Sequence, residues 1–428
     1  MQYRNFVDKA ELARPARFRY GLRNATRRWP AQTVAMPPIK KTTPLVFDAP
    51  LNSLNVLHVF RYFRPDFTGE GLYLEKLARH LAVNAIRSDV VVESTRAPRL
   101  AQTMDGVGRI RFFGPGSGRP LRIQLRMMLW FAVHSSSYDV VHFHAFVDRL
   151  LLLHLIARLC GCRIVQSCTL DDGLSSVVGG YRPLYRPLLR RLCRLIDAAV
   201  AISPRLYAEN LAVLPAARNW LIPQGVNLSP LPGQRDRARW GFRRDDFVIV
   251  FVGGMCARKD VMFLIENHAA IAVGGSRVKL LLAGPQVESG YSESLRLAIA
   301  RSPCAADIVL EDYLDDPSPA YAAADIFVFA SRQEGFGNVL IEAMARALPV
   351  VSRRLPGVTD RIIDDGKTGI LFETAADYRN AVRALIADPE ERRVMGQAAA
   401  KAVRERFDLS KIACRYCELY RGLAEGRV

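Results

Sequence analysis

Near-continuous apolar runs of strand length recur along the chain and alternate with stretches of helical period. The first series runs Asn55-Val56-Leu57-His58-Val59-Phe60, a helical pattern over 71–85, then Asp89-Val90-Val91-Val92. It continues with Asp139 to His144, Arg163 to Gln166 and Ala198 to Ser203. A second series restarts at Phe247-Val248-Ile249-Val250-Phe251-Val252 and proceeds through Lys279 to Gly284, Asp325 to Ser331 and Pro349 to Val351. Strands that are apolar on both faces and separated by helices read as parallel sheets covered on both sides. The expected class is therefore α/β, with two doubly wound domains that receive ligands in the crevice outside the carboxyl ends of their strands. Pro223-Gln224-Gly225-Val226-Asn227 opens a Pro- and Arg-rich link to about Arg239, read as the hinge. The expected division is a basic extension over 1–52, a first domain over 53–225, a second over 226–405, and a helix over 406–428 packing back toward the first. The two halves share architecture and no visible sequence repeat.

At 428 residues the chain is long for one core and suits two domains of ordinary size. No apolar stretch reaches the eighteen or so residues that span a bilayer, and Leu150 to Ala157 is read as a buried helix. Residues 1–52 carry prolines at Pro15, Pro30, Pro37, Pro38 and Pro44 and an arginine-rich stretch from Arg14 to Arg28. They lack the apolar core of a secretion signal, so a cytoplasmic protein is expected. The net charge of +18 and pI near 9.9 point to anionic partners. Zinc-finger spacing, a helix-turn-helix pattern and aromatic RNA-binding motifs are missing from the sequence, so no nucleic acid is expected. An anionic membrane surface fits better, since each Lys or Arg near acidic lipid contributes roughly 1 kcal/mol. The eight cysteines are scattered, and Cys414-Arg415-Tyr416-Cys417 has no second pair nearby; all read as structural thiols.

Glu334-Gly335-Phe336-Gly337-Asn338-Val339-Leu340-Ile341-Glu342-Ala343-Met344 follows the apolar run Asp325 to Ser331. Glycines there open a helix with apolar residues at Leu340, Ile341, Met344, Ala347 and Leu348. A glycine-rich turn from strand to helix leaves backbone N–H groups aimed at one spot, where the helix dipole favours negative charge. Glu334 and Glu342 are acceptor-only groups suited to sugar hydroxyls. An ordinary helix start with solvated glutamates accounts for the spacing equally well.

Glu-x7-Glu within EGFGNVLIEAMA, followed by PVV, resembles the signature of family 4 of the retaining, nucleotide-sugar-dependent glycosyltransferases. Further segments match in order from about Asn55 to near the C-terminus. The resemblance implies the GT-B fold, two Rossmann-like domains with the donor nucleotide sugar held between them, and no cofactor or divalent metal for the chemistry. It implies that Glu334 holds donor sugar hydroxyls and Glu342 the nucleotide ribose, with Gly335, Phe336, Gly337, Asn338 and Val339 along the phosphate-binding turn. Gly253-Gly254-Met255-Cys256-Ala257-Arg258-Lys259 looks like the family's second phosphate turn, with Gly253 at its start and Lys259 neutralising the leaving diphosphate. The family commonly has arginine where Gly254 stands, a departure that makes Arg258 the candidate substitute and leaves its role open. Phe67-Thr68-Gly69-Glu70-Gly71 resembles the glycine-pair loop, with Gly69 at the second glycine and Thr68 in place of the first.

His142 and His144 end the strand Asp139 to His144 on one face. Spacing alone suits packed histidines as well as functional ones, while the family's HxH implies an active-site role for His144. With no third ligand evident in the sequence, the pair is not read as a metal site. Asp171-Asp172 reads as a solvated turn or as an acceptor contact. Leu121 to Phe131 and Tyr181 to Arg194 mix arginines with large apolar residues, as interfacial helices or core helices with a basic side would. The resulting expectation is a hexosyl transfer from a UDP- or GDP-sugar to a glycan or lipid-linked acceptor in bacterial surface-polysaccharide assembly, by a peripheral membrane enzyme. The alternatives are a nucleotide-sugar epimerase on the same fold and a basic nucleic-acid-binding protein.

Overall fold

The computed structural model describes residues 53–61, 63, 69–93, 106–113, 120–144, 151–168, 173–228, 236–271 and 277–427. The 1–52 extension, Phe67, Thr68, Asp171, Asp172 and part of the 226–239 link lie outside them. Seven strands make the first sheet: β1 (Leu54–Phe60), β2 (Ile86–Val92), β3 (Val107–Phe112), β4 (Val140–Phe143), β5 (Arg163–Cys168), β6 (Ala198–Ala201) and β7 (Asn219–Leu221). They pair in parallel in the order β3-β2-β1-β4-β5-β6-β7. Six make the second: β8 (Phe247–Val252), β9 (Val278–Ala283), β10 (Ile308–Glu311), β11 (Ile326–Phe329), β12 (Val350–Arg353) and β13 (Ile370–Phe372). These are also parallel, in the order β10-β9-β8-β11-β12-β13.

Apolar runs mark every interior strand of both sheets. The strands they leave unmarked are β3, β7, β10 and β13, which are the four edges. An edge strand has one neighbour and needs no apolar residue at every position. The β3 sequence VGRIRF alternates buried Val107 and Ile110 with exposed arginines, and β7 and β13 have only three residues each.

Helices cover both faces. On the first sheet, α1 (Gly69–Val83) and α13 (Leu409–Ala424) bury one face around Val56, Val140 and Val165. The opposite face, with Leu57, Val141 and Ile164, packs under α2 (Pro120–His134), α3 (Leu151–Leu159), α4 (Leu174–Gly180) and α5 (Arg186–Cys193). The following helix α6 (Pro204–Leu211) sends Leu206 into the core of the second half. There, α7 (Val261–Ile271), α8 (Ser289–Arg301) and α11 (Ala375–Ala387) lie on one face of the sheet. The other carries α9 (Ser318–Ala323), α10 (Asn338–Ala345) and α12 (Pro389–Arg406). The expectation that the Leu150–Ala157 run is a buried helix needs correction: α3 buries Leu153 and Ala157 but leaves Leu152, Leu155 and Leu159 exposed. A helix on the outside of a two-faced sheet buries one stripe only, and the leucines here run all the way round.

The chain passes between the halves twice, and the two passages run side by side. Val226 N–H donates to Phe407 O at 2.8 Å, and Leu409 N–H donates to Val226 O at 3.1 Å. Gly225 permits this approach, since a Cβ there would lie 2.8 Å from Leu409 Cα.

The helix that carries Glu342 is positioned by a second close approach. A Cβ on Gly396 of α12 would sit 2.1 Å from Ala347 O, just beyond the end of α10. Gly396→Ala should therefore destabilise the protein by about 1–3 kcal/mol through overpacking, although alanine is the better helix former. Urea denaturation measures this, and an unchanged or raised midpoint would mean the contact is not made.

Candidate active site

In both sheets the strand order reverses between neighbours, at β1/β4 and at β8/β11. Connections leaving two such strands turn to opposite faces and leave a crevice at their carboxyl ends. Each candidate segment follows one of these four strands: Gly69 after β1, His144 after β4, Gly253 to Lys259 after β8, and Glu334 to Glu342 after β11. Phe251 and Phe329, at or near the ends of their strands, belong to opposite core clusters, so the loops start from firmly packed positions.

The β8 and β11 loops meet. Arg258 Nη1 lies 2.8 Å from Glu334 Oε1 and also donates to Gln333 O at 2.7 Å, while Lys259 Nζ pairs with the same Glu334 oxygen. The Lys259 ammonium stands over the Phe329 ring, 5.4 Å from its centroid. Arg332 N–H donates to Arg258 O at 3.0 Å, locking the backbones together. The next residue, Asp260, has a left-handed backbone with φ of 52° and accepts from Arg332 and Arg353, each at 2.8 Å. Two cations and a carboxylate thus converge beside the start of α10. Gly337 caps that helix with φ of 107°, a conformation that favours glycine. The side-chain oxygen of Asn338 is buried there without a partner. Phe336 turns its ring into the core, 5.7 Å from Phe407 and edge-on, so only its backbone faces the turn. Val339 is partly buried against the same core.

Gly253 and Gly284 bring two backbones together: a Cβ on Gly284 would lie 2.0 Å from Gly253 O. At Gly254 the space a side chain would take is filled by Val287, whose Cγ2 would be 2.7 Å from a Cβ. Arg258 stands beside Lys259 on the same Glu334 oxygen.

Glu342 is reached from the other half of the molecule. Its Oε1 accepts from Lys76 Nζ of α1 at 3.0 Å, and its Oε2 accepts from Tyr321 Oη at 3.1 Å. Lys76 lies two turns beyond Gly69 on α1, so the α1 face that begins at the exposed Gly69 runs toward α10. Nothing lies within 4 Å of a Cβ placed at Gly69.

His144 does not join this cation–carboxylate group. Its Nδ1 is 2.8 Å from Glu70 Oε1 and its Nε2 is 2.9 Å from His58 Nδ1. A carboxylate only accepts, so Nδ1 carries the proton, and in the neutral ring Nε2 accepts from His58. Burial holds His144 neutral by pushing its pKa down to about 3. Burial, and then the neighbouring His144, hold His58 and His142 well below the usual histidine range. The sequence gives no third ligand beside the His142/His144 pair, but the fold supplies His58, directly opposite His142 in the β1/β4 register. Five of the six ring nitrogens are already engaged, because His142 bonds Tyr420 and Ser167, each at 2.7 Å. Only His58 Nε2 is left without a partner. The cluster is a hydrogen-bonded core network reaching the cleft through Glu70.

The participants that the sequence did not mark are Glu70, Lys76, His58, Tyr321 and Asp260. Glu70 and Asp260 sit immediately beside marked residues. Lys76 has the helical spacing from Gly69 as its only sign. His58 stands inside an apolar strand run, and Tyr321 lies outside every run read from the sequence.

The family described as Glycosyltransferase Family 4 matches residues 67–230, and the one described as Glycosyl transferases group 1 matches residues 246–388. A D-inositol 3-phosphate glycosyltransferase of Kineococcus radiotolerans is 27% identical over 412 residues, spanning 85% of this chain and 92% of that protein. The capsular polysaccharide biosynthesis glycosyltransferase CapM of Staphylococcus aureus is 34% identical over 167 residues, 38% of this chain and 43% of CapM. This chain therefore spans less than half of CapM in that match. Among solved structures, HepE of Anabaena in complex with UDP and glucose superposes with a TM-score of 0.68 at 19% identity, covering 86% of this chain and 99% of that one. That likeness is one of fold, the GT-B arrangement of two parallel-sheet domains.

The buried histidines make stability depend on pH. Unfolded, each titrates near the ordinary value of about 6.5, and folded they resist protonation. The unfolded chain then binds more protons below that pH, so stability is full above about 6.5 and falls as pH drops toward about 3. The denaturation midpoint should fall between pH 6.5 and 5, where few carboxylates titrate. A flat profile there would show that the three rings are accessible to protons in the native state.

Proposed function

We propose that this chain, which belongs to the family 4 retaining glycosyltransferases, moves a hexosyl unit from a UDP- or GDP-sugar to a hydroxyl of a lipid-linked glycan. Transfer from a nucleotide sugar is common to the family; the hexose, the nucleotide and the lipid-linked acceptor are our reading. The observation that carries it is the meeting of Lys259, Arg258 and Glu334 beside the N-terminus of α10. The bond from the sugar anomeric carbon to the diphosphate breaks, and positive charge grows on the sugar while negative charge grows on the departing phosphate. Lys259, Arg258 and the first amides of α10 stabilise the second charge. The acceptor oxygen bonds to the same face of the sugar, and its proton passes to the departing phosphate.

Glu334 neutralises the two cations. When the diphosphate takes the cations, the carboxylate is released to accept from sugar hydroxyls. Glu342 undergoes the same exchange, with ribose hydroxyls replacing the Lys76 ammonium. The His144 ring, with both nitrogens engaged, shapes the acceptor side through Glu70. The lipid-linked acceptor, and with it a peripheral position on an anionic membrane, is supported by the charge of +18 and by the arginines and exposed leucines of the first half.

Lys259→Ala should lower turnover by about 10²–10³ with saturating donor, and weaken binding of the nucleoside diphosphate product. Arg258→Ala should approach the same loss, since Gly254 offers no side chain. Near-normal turnover in Lys259→Ala with a defined acceptor would remove the phosphate site from this turn.

The Lys76–Glu342 pair makes the opposite kind of prediction. The Lys76 side chain is 42% exposed, and solvent screening holds the pair to about 1 kcal/mol, so removing the competing ammonium in Lys76→Ala should tighten UDP or GDP binding by up to about fivefold. Glu342→Gln should weaken it about tenfold or more. Calorimetry separates the cases: weaker binding in Lys76→Ala would make Lys76 a direct ligand, and unchanged binding in Glu342→Gln would take the ribose elsewhere.

A further inference from the structure

The helices α2, α3, α4 and α5 form one layer on a single face of the first sheet. Its outward surface is unlike the rest of the described molecule. Nine of the fourteen exposed large apolar side chains lie on this layer, from Leu129 and Val133 of α2 to Leu159 of α3 and Leu184 and Leu188 around α5. Leu184 is 82% exposed and Leu159 is 79% exposed. On α2 the inner stripe Ile123, Met127 and Phe131 is buried, while Leu125, Leu129 and Val133 repeat at four-residue spacing on the outside. The stretches 120–138, 151–163 and 173–196 contain no Asp or Glu at all.

The cations of this layer are concentrated at one end. Arg186, Arg190, Arg191 and Arg194 line a cleft of about 470 Å³ with Pro183 and Pro187. Arg186 is held in place by donating to Tyr181 O and Gly179 O, each at 2.9 Å. Among the described residues, Arg190, Arg191 and Arg194 have no hydrogen-bonding or acidic partner on their side chains. Guanidiniums gathered without a carboxylate repel one another, and they match phosphate oxygens bidentately. Unpaired charge beside exposed leucine is the composition of an interfacial surface. Among the described residues no helix is long and apolar enough to cross a membrane.

We propose that the outer surface of the α2–α3–α5 layer docks on an anionic phospholipid bilayer, its leucines entering the headgroup boundary and the α5 arginine cleft taking lipid phosphate. The inference rests on the lipid-linked acceptor reading above and names the surface that would bring the acceptor domain to it. A soluble polyphosphate or a nucleic acid would use the arginines and leave the leucines without a role.

The test uses the full chain, sedimented with phosphatidylcholine vesicles with and without phosphatidylglycerol. Two variants are compared, Arg190→Glu/Arg191→Glu/Arg194→Glu and Leu125→Ser/Leu129→Ser/Val133→Ser. Both change exposed side chains, and thermal melting checks that they remain folded. Wild type should partition onto anionic vesicles only, and less so as salt rises. The arginine variant should lose about a hundredfold in partitioning, the leucine variant should also weaken, and both should keep wild-type affinity for UDP or GDP. Anionic-vesicle binding that survives the arginine substitutions would overturn the cleft assignment. Wild type that ignores vesicles yet binds inorganic tripolyphosphate or duplex DNA through these arginines would overturn the bilayer as occupant. Loss of self-association in the leucine variant, with no vesicle binding by wild type, would make the face an interface between copies. Failure of nucleotide binding in wild type would instead sink the glycosyltransfer reading, which vesicle sedimentation does not address.

Discussion

Two neighbouring parallel strands whose connections leave to opposite faces cannot cover their own carboxyl ends. That topological constraint occurs once in each sheet, at β1/β4 and β8/β11, and every candidate segment of the cleft emerges from one of those four strands. The rest of the arrangement follows from it. The loops need glycine where backbones approach, as at Gly284 against Gly253, and a positive φ at Gly337 to start α10. Rigid strand ends under those loops keep Lys259 and Glu334 in register, although they are 75 residues apart in sequence.

Charge accounting explains why Lys259 and Glu334 are paired. Lys259 and Glu334 are both largely buried, and a buried charge without a partner is strongly unfavourable. The proposed ligand has the opposite polarity at each end, with anionic phosphates and neutral hydroxyl donors. It can therefore replace both internal partners at once, phosphates for Glu334 at the cations and hydroxyls for the cations at the carboxylates. A ligand bringing only one of these would leave the other buried group unpaired. The exchange at Glu342 differs in kind, because its internal partner, Lys76, comes from the first domain. With ribose at Glu342 as proposed, nucleotide occupancy and the contact between α1 and α10 are linked, and by thermodynamic reciprocity each biases the other.

Most of the interior was legible in the sequence because parallel strands covered on both faces must be apolar at nearly every position. Phe247 to Val252 and Asp325 to Ser331 could be read directly for that reason. The edges β3, β7, β10 and β13 were not legible, since one-sided pairing relaxes the pattern and two of them have only three residues. Lys259, Arg258 and Glu334 were marked one by one through the resemblance to the glycosyltransferase motifs, with Arg258 as the candidate replacement for the arginine that Gly254 displaces. What spacing cannot express is which side chains meet from distant elements. Lys76 reaches Glu342 across 266 positions, and Glu70 reaches His144 across 74. Residue types alone also gave no sign that Phe336 would turn inward, because an aromatic in a glycine-rich turn suits a ligand contact as well as a core.

The chain's last helix carries a further consequence of the fold. Tyr416, Cys417, Tyr420 and Leu423 of α13 are buried against α1 and the first sheet, and Tyr420 bonds His142 at 2.7 Å. Without α13 that face would expose Val140, Val165 and Val200 and leave His142 Nδ1 unpaired in an apolar surface. A buried polar group without its partner costs roughly 1–3 kcal/mol, and the exposed apolar area adds to this. The first domain therefore cannot reach its final state from its own sequence segment. It depends on contacts between residues far apart in sequence, such as His142 with Tyr420 and Asn84 with Arg421. The same dependence ties the neutral histidine network beside Glu70 to the passage at Val226 and Leu409, so the end of the first sheet that carries His144 is completed by the chain's last helix.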